Sequence, residues 1–208
     1  MIEKVYIVHY GPLTDRKEYL DEQIPNRFGF NNVEFIISDE LTDSENLKNT
    51  NYSSQNSYWS QLTIPEICNY EVQYNIWNKI YESNLNNALI IEDDSVFNEN
   101  YDYFFPKMIE NLPSDYDICF FSECSDLHVG NPEQKLLVES QYSRCCTAYL
   151  ITNVACEKLI SVKDFYHPID HHLNFVKSKL NLKYYWSEPT VFNQGSEYLY
   201  KSNAGRCR

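Results

Sequence analysis

The chain has 208 residues, with seventeen Lys plus Arg against thirty Asp plus Glu. The resulting formal charge of -13 excludes an extended basic surface for tracking nucleic acid, while 43% hydrophobic and 15% aromatic residues exclude intrinsic disorder and suit one compact domain over 1–208. No apolar run reaches the ~20 residues needed to span a bilayer, and Met1-Ile2-Glu3-Lys4 does not open a secretory leader, so a cytoplasmic chain is expected.

Val5 to Tyr10 is a β-branched and aromatic run stopped by Gly11-Pro12, which predicts a buried first strand. A helix capped by Thr14 or Asp15 follows from Arg16 to about Asn26. A second strand at Val33 to Ile37 then completes a βαβ rhythm. Residues near 38–63 are polar, with Tyr52, Tyr58 and Trp59 scattered among Asn and Ser, and predict a long loop. Ile67, Tyr70, Tyr74, Trp77 and Tyr81 recur at helical spacing and predict a core helix from Ile64 to Tyr81. The unbroken apolar run Ala88 to Ile91 is a strand that ends at Glu92-Asp93-Asp94, ahead of a helix near Asp102 to Leu112. Further strands are expected at Asp117 to Phe121, Thr147 to Thr152 and Tyr184 to Trp186, and further helices at Val154 to Ser161 and Ile169 to Leu180. Glu123 to Gln141 reads as a variable loop. Alternation of strands and helices predicts an α/β fold.

Three adjacent carboxylates at the end of a buried strand repel one another and are partly desolvated, so a positive partner is expected there. Alternation along an extended chain aims Glu92 and Asp94 one way and Asp93 the other. Two such oxygens suit Mg2+ or Mn2+, which take one or two protein carboxylates and complete their shell with water and phosphate. The alternative is a solvated turn or a cap of the next helix. Location favours the ligand, since ligands of open α/β sheets gather outside the carboxyl ends of the strands. The seven cysteines, without C-x-x-C spacing, predict free thiols in a reducing compartment.

The segments VYIVHYGPLTDR, QLTIPEICNYEVQYNIW, ALIIEDDSVF, DYDICFFSECSDLH, RCCTAYLIT, HPIDHHLNF and YYWSEPTVFNQGS occur in an order that resembles glycosyltransferase family 25 over nearly the whole chain. The resemblance implies a GT-A type fold, a Rossmann-like mixed sheet flanked by helices. It also implies a metal-dependent, inverting transfer of a hexose, galactose or glucose, from a UDP-sugar to a hydroxyl of a glycan or glycoprotein, with Mn2+ or Mg2+ at the acidic motif. On that pattern Glu92 and Asp94 hold the metal, while His9, Tyr10, Arg16, Asp93, Gln194 and Ser196 hold the donor, Gly195 allowing close backbone approach. Asp170 is the expected base for the acceptor hydroxyl, with Glu123 and Asp126 in reserve. Its plain alternative is a helix N-cap. Arg144 and Thr147 are expected on the acceptor side. His171 and His172 diverge by ~100° on their helix and are expected to face solvent or to lie behind the site. Asn69-Tyr70-Glu71 stands where many members carry Ser-His or Lys-His. That departure sustains a second reading, a catalytically silent sugar-nucleotide or glycan-binding module; a metal-dependent phosphoesterase is the third.

Overall fold

The structure, a computed structural model, describes residues 1–38, 51–52, 62–123, 127–128, 135–197 and 199–200. The first half runs β1 (Lys4–Tyr10), α1 (Thr14–Gln23), α2 (Pro25–Phe28), β2 (Val33–Ser38), β3 (Asn51–Tyr52), α3 (Ile64–Glu82), β4 (Asn87–Glu92), β5 (Ser95–Phe97) and α4 (Tyr101–Glu110). The second half adds β6 (Ile118–Phe120), β7 (Leu137–Ser140), β8 (Ala148–Thr152), α5 (Asn153–Ile160), β9 (Asp164–Phe165), α6 (Ile169–Leu180), β10 (Tyr184–Ser187) and β11 (Phe192–Gln194). Seven strands form one mixed sheet in the order β2-β1-β4-β8-β6-β10-β7, and β5 with β11 and β3 with β9 form two small ribbons. The fold is the expected α/β type.

Both faces of the sheet are covered, which explains why its strands read as continuous apolar runs. Successive residues go to opposite sides. Tyr6, Ala88, Ile90, Ile118, Phe120, Tyr149 and Ile151 pack with α3, α5 and α6. Val5, Ile7, Leu89, Ile91, Cys119, Ala148 and Leu150 pack with α1 and α4. Strand β1 pairs parallel to β2 and β4, and β4 and β6 both run antiparallel to β8. The carboxyl ends of β1, β2, β4 and β6 therefore share one edge, and β10, parallel to β6, ends there too.

Several expectations change. Leu13 is the N-cap of α1, without a side-chain cap, so neither Thr14 nor Asp15 caps it. Tyr81 is 41% exposed and leaves the core stripe, which ends at Ile80 as α3 passes the sheet. The acidic turn leads into β5 before α4, and the predicted loop contains β7, an edge strand antiparallel to β10. Cys145 is disulfide-bonded, departing from the free-thiol expectation that Cys68, Cys119, Cys146 and Cys156 follow. The aromatic Tyr58 and Trp59, most of the polar loop and Asp126 lie outside the described residues. Among the described residues no helix is long and apolar enough to cross a membrane.

Candidate functional site

At the shared carboxyl edge a cleft of about 220 Å³ opens between the ends of β1, β2 and β4 and the first turns of α3. His9, Tyr10, Arg16, Glu92, Asp93, Asp94, Gln194 and Ser196 all line it, joined by Asn69. A capping box starts α3: Glu66 N–H donates to Thr63 Oγ1 at 3.4 Å and Thr63 N–H donates to Glu66 Oε2 at 2.8 Å. This reciprocal cap sets where Asn69 emerges one turn later.

Only Glu92 belongs to the strand; Asp93 and Asp94 stand on the turn, so strand alternation alone does not set their directions. Asp93 turns towards β1 and α1. Its Oδ1 accepts from Arg16 Nη1 at 2.7 Å, and its Oδ2 accepts from the Tyr10 N–H at 3.0 Å and lies 2.9 Å from His9 Nδ1. Burial pushes this carboxyl up, but His9, the Tyr10 N–H and Arg16 outweigh it and hold the group below its ordinary value. The guanidinium of Arg16 also lies 5.1 Å from the centre of the Tyr200 ring.

Glu92 turns instead towards α3, where Oε1 accepts from Asn69 Nδ2 at 2.6 Å and from Gln73 Nε2 at 3.0 Å. Burial, then repulsion from Asp94, pushes its carboxyl up to about 8, against the bond from Asn69. Asp94 is likewise raised by burial, against hydrogen bonds from Ser196 and the charge of Arg16. Its Oδ1 is buried and has no hydrogen-bond partner among the described residues. A buried orphan oxygen beside a repelled carboxyl fits a divalent cation that draws one or two ligands from protein and the rest from phosphate and water. Among the described residues no group of three His, Cys, Asp or Glu could hold an ion alone.

The C-terminal segment closes on the acidic turn. Strand β11 pairs antiparallel to β5, with Gln194 opposite Ser95, and the Gly195 N–H donates to the Asp94 carbonyl at 2.7 Å. A Cβ at Gly195 would sit 2.7 Å from that carbonyl and 2.7 Å from the Tyr200 ring, so the close approach it permits is to the turn itself. Gln194 Oε1 and His9 Nε2 are buried without partners among the described residues.

The remaining sequence candidates fall elsewhere. Asp170 is the second residue of α6, whose N-cap is Pro168, and its Oδ1 accepts from the His171 N–H at 2.9 Å. It does not line the cleft, yet its charge contributes to the upward shift of Glu92. His171 is exposed, whereas His172 is fully buried, with Nε2 3.2 Å from Tyr70 OH. Burial, then the charge of His167, pushes His172 down to about 3. The helical rotation that separates the two also sends one of them into the core. Arg144 is buried too: it donates to the Ser187 carbonyl at 2.9 Å and pairs with Glu188 at 3.2 Å. Thr147 contributes its carbonyl, which accepts from the Glu92 N–H at 2.8 Å and from Ser95 Oγ at 2.7 Å. The Glu123 N–H donates to the Phe192 carbonyl at 2.8 Å. Sequence reasoning missed Asn69 and Gln73 as partners of Glu92. Their i, i+4 spacing on a helix with an apolar stripe was the available signal.

A family model described as Glycosyltransferase family 25 (LPS biosynthesis protein) matches residues 2–173. Procollagen galactosyltransferase 1 of Danio rerio is 29% identical over 140 residues, which is 61% of this chain and 22% of that protein. Procollagen galactosyltransferase 2 of Homo sapiens is 24% identical over 153 residues, 62% of this chain and 24% of that protein. The match thus spans about a quarter of the length of these relatives. Among solved structures, a glycosyltransferase involved in the glycosylation of the major capsid of PBCV-1 is similar at TM-score 0.57 and 9% identity, over 98% of this chain and 95% of that one. The likeness is one of fold.

Proposed function

The chain belongs to glycosyltransferase family 25, and from that premise we propose that it transfers a hexose, galactose or glucose, from a UDP-sugar to a hydroxyl of a glycan or glycoprotein, with inversion. The observation that carries the reading is Asp94 Oδ1, buried and unpartnered among the described residues, beside a Glu92 whose carboxyl is pushed up to about 8. Such a pair is costly unless a cation and its anion share the cleft. Asp94 and Glu92 would hold Mn2+ or Mg2+, which supplies Lewis-acid neutralisation of charge on the departing diphosphate.

The chain's own residues do the rest. Asp93 locks Arg16 and His9 at the cleft wall, so their donors are pre-set for the nucleotide and its phosphates. Gln194 and Ser196, tied to the acidic turn through Gly195, cover the donor from the opposite side. Asp170 lies outside the donor cleft's lining but close enough for its charge to raise Glu92, and it would take the proton of the acceptor hydroxyl as the new glycosidic bond forms and the sugar's bond to the diphosphate breaks. With one oxygen already on the His171 N–H, its carboxylate keeps a defined orientation for that transfer.

The test is a thermal-shift series with UDP, GDP and CDP, each with and without Mn2+. Stabilisation confined to UDP with Mn2+ is expected, by RT ln(1 + [L]/Kd). Absence of a metal-linked shift with every nucleotide would remove the donor reading. Release of UDP from labelled UDP-galactose or UDP-glucose then separates a transferase from the silent binding module that the Asn69 departure suggests.

A further inference from the structure

A chain of buried hydrogen bonds runs from the core to the cleft. Trp77 Nε1 donates to Tyr149 OH at 3.0 Å, Tyr149 OH donates to Gln73 Oε1 at 2.6 Å, and Gln73 Nε2 donates to Asn69 Oδ1 at 2.8 Å and to Glu92 Oε1 at 3.0 Å. Asn69 Nδ2 closes the set on Glu92 Oε1 at 2.6 Å. Trp77, Tyr149 and Gln73 are all fully buried. The oxygen and nitrogen of an amide can exchange places without changing its shape, but an indole nitrogen can only donate. With the Trp77 N–H on its oxygen, the single Tyr149 proton goes to Gln73, which turns the Gln73 NH2 outward. That NH2 occupies Asn69 Oδ1, which turns the Asn69 NH2 onto Glu92. One donor-only ring thus sets the polarity of every bond as far as the cleft.

We propose that Trp77, Tyr149 and Gln73 are positioning residues that pin Glu92 Oε1 beneath two amide N–H groups, so that Oε2 is the Glu92 oxygen left to the cleft and would be the one offered to the cation of the donor complex. The inference rests on the donor reading above and adds the residues that orient one of its carboxylates. A carboxylate held this way keeps Oε1 on the two amides. Asp94, the diphosphate and water would then supply the other ligands. Loss of the chain frees the Gln73 amide to turn its oxygen towards Glu92, where it repels the carboxylate.

Two measurements test it. In the protein without ligand, nuclear magnetic resonance of the Gln73 and Asn69 side-chain amides should show slow exchange with water, and Tyr149→Phe should shift both resonances and speed both exchanges. By calorimetry with Mn2+ and UDP, Tyr149→Phe and Gln73→Leu should each weaken binding by about tenfold to a hundredfold, the range typical of removing groups that orient a metal ligand. Tyr74→Phe, which deletes a hydroxyl from the same helix but only its bond to the Ile160 carbonyl, should bind as the unaltered protein does. Should Tyr149→Phe fail to fold, Gln73→Leu carries both measurements, read at Asn69. Unchanged affinity in Gln73→Leu and Tyr149→Phe, or equal weakening in Tyr74→Phe, overturns the proposal. If the unaltered protein takes up no Mn2+ with UDP, the donor reading falls, while amide exchange indifferent to Tyr149→Phe overturns the polarity chain by itself.

Discussion

Three neighbouring carboxylates have three different electrostatic fates. Asp93 meets a guanidinium, a backbone N–H and an imidazole, so it remains charged at little cost. Glu92 meets two neutral amides, which stabilise a charge far less than an ion does. Asp94 meets Ser196 and keeps one buried oxygen unpaired among the described residues. Replacement of Asp94 by Asn keeps its shape and removes its repulsion of Glu92. Asp94→Asn should therefore unfold within about 1 kcal/mol of the unaltered protein while losing the Mn2+-linked thermal shift and UDP release. Retained turnover in that variant would show that Asp94 is not the cation's ligand. The identity of these three residues was plain in the sequence. Their division of labour was not, because Arg16 lies 77 positions from Asp93 and Asn69 lies 23 from Glu92.

At the scale of elements, the site is a junction of six pieces: the ends of β1, β2 and β4, the first turns of α1 and of α3, and the β5–β11 ribbon. Apolar periodicity located α3 and β4 because each buries a continuous stripe or run. It missed β11 and β7, whose runs Phe192–Gln194 and Leu137–Ser140 mix polar with apolar residues, whereas the equally short β6 and β10 stood out as apolar and aromatic runs. The ribbon holds the C-terminal segment against the acidic turn, and Gly195 makes the contact possible. Any Cβ there meets backbone, which cannot yield as a flexible side-chain tip does. Gly195→Ala should displace the 194–196 segment and cost about 1 to 3 kcal/mol by overpacking. Urea unfolding measures the stability, and the Mn2+–UDP shift in the same variant should shrink. A variant with unaltered stability and unaltered nucleotide response would show that the ribbon can retreat freely.

At the scale of the whole molecule, the pH dependence of stability integrates these local shifts. His172, at about 3 when folded against an ordinary 6.5, binds a proton more readily in the unfolded chain, so stability rises with pH through that interval. Glu92, at about 8 against an ordinary 4.5, binds its proton more readily when folded, so stability falls as pH rises from 4.5 to about 8. The two opposing slopes overlap between 4.5 and 6.5, and above 6.5 the Glu92 term is left. The protein without ligand should lose on the order of 1 to 2 kcal/mol between pH 6.5 and 8. Glu92→Gln should abolish the loss, and Mn2+ with UDP should reverse it, since a bound cation favours the charged form. Unfolding midpoints recorded from pH 5 to 8.5 decide this; a Glu92→Gln profile that still declines would place the titrating group elsewhere.

By itself the sequence determined the α/β class, the strands that are buried on both faces, and the presence of a carboxylate cluster at a strand end. Those properties follow from hydrophobic period and from the cost of burying like charges, which are local and printed in residue order. Tertiary structure alone decided the strand order that brings β1 beside β4, the burial of His172 and Arg144, and the partner that each carboxylate meets. A hydrogen bond depends on atoms from distant segments arriving within 3 Å or so of each other. No local pattern encodes that arrival; it is set by how the sheet is ordered and how α3 lies across its edge.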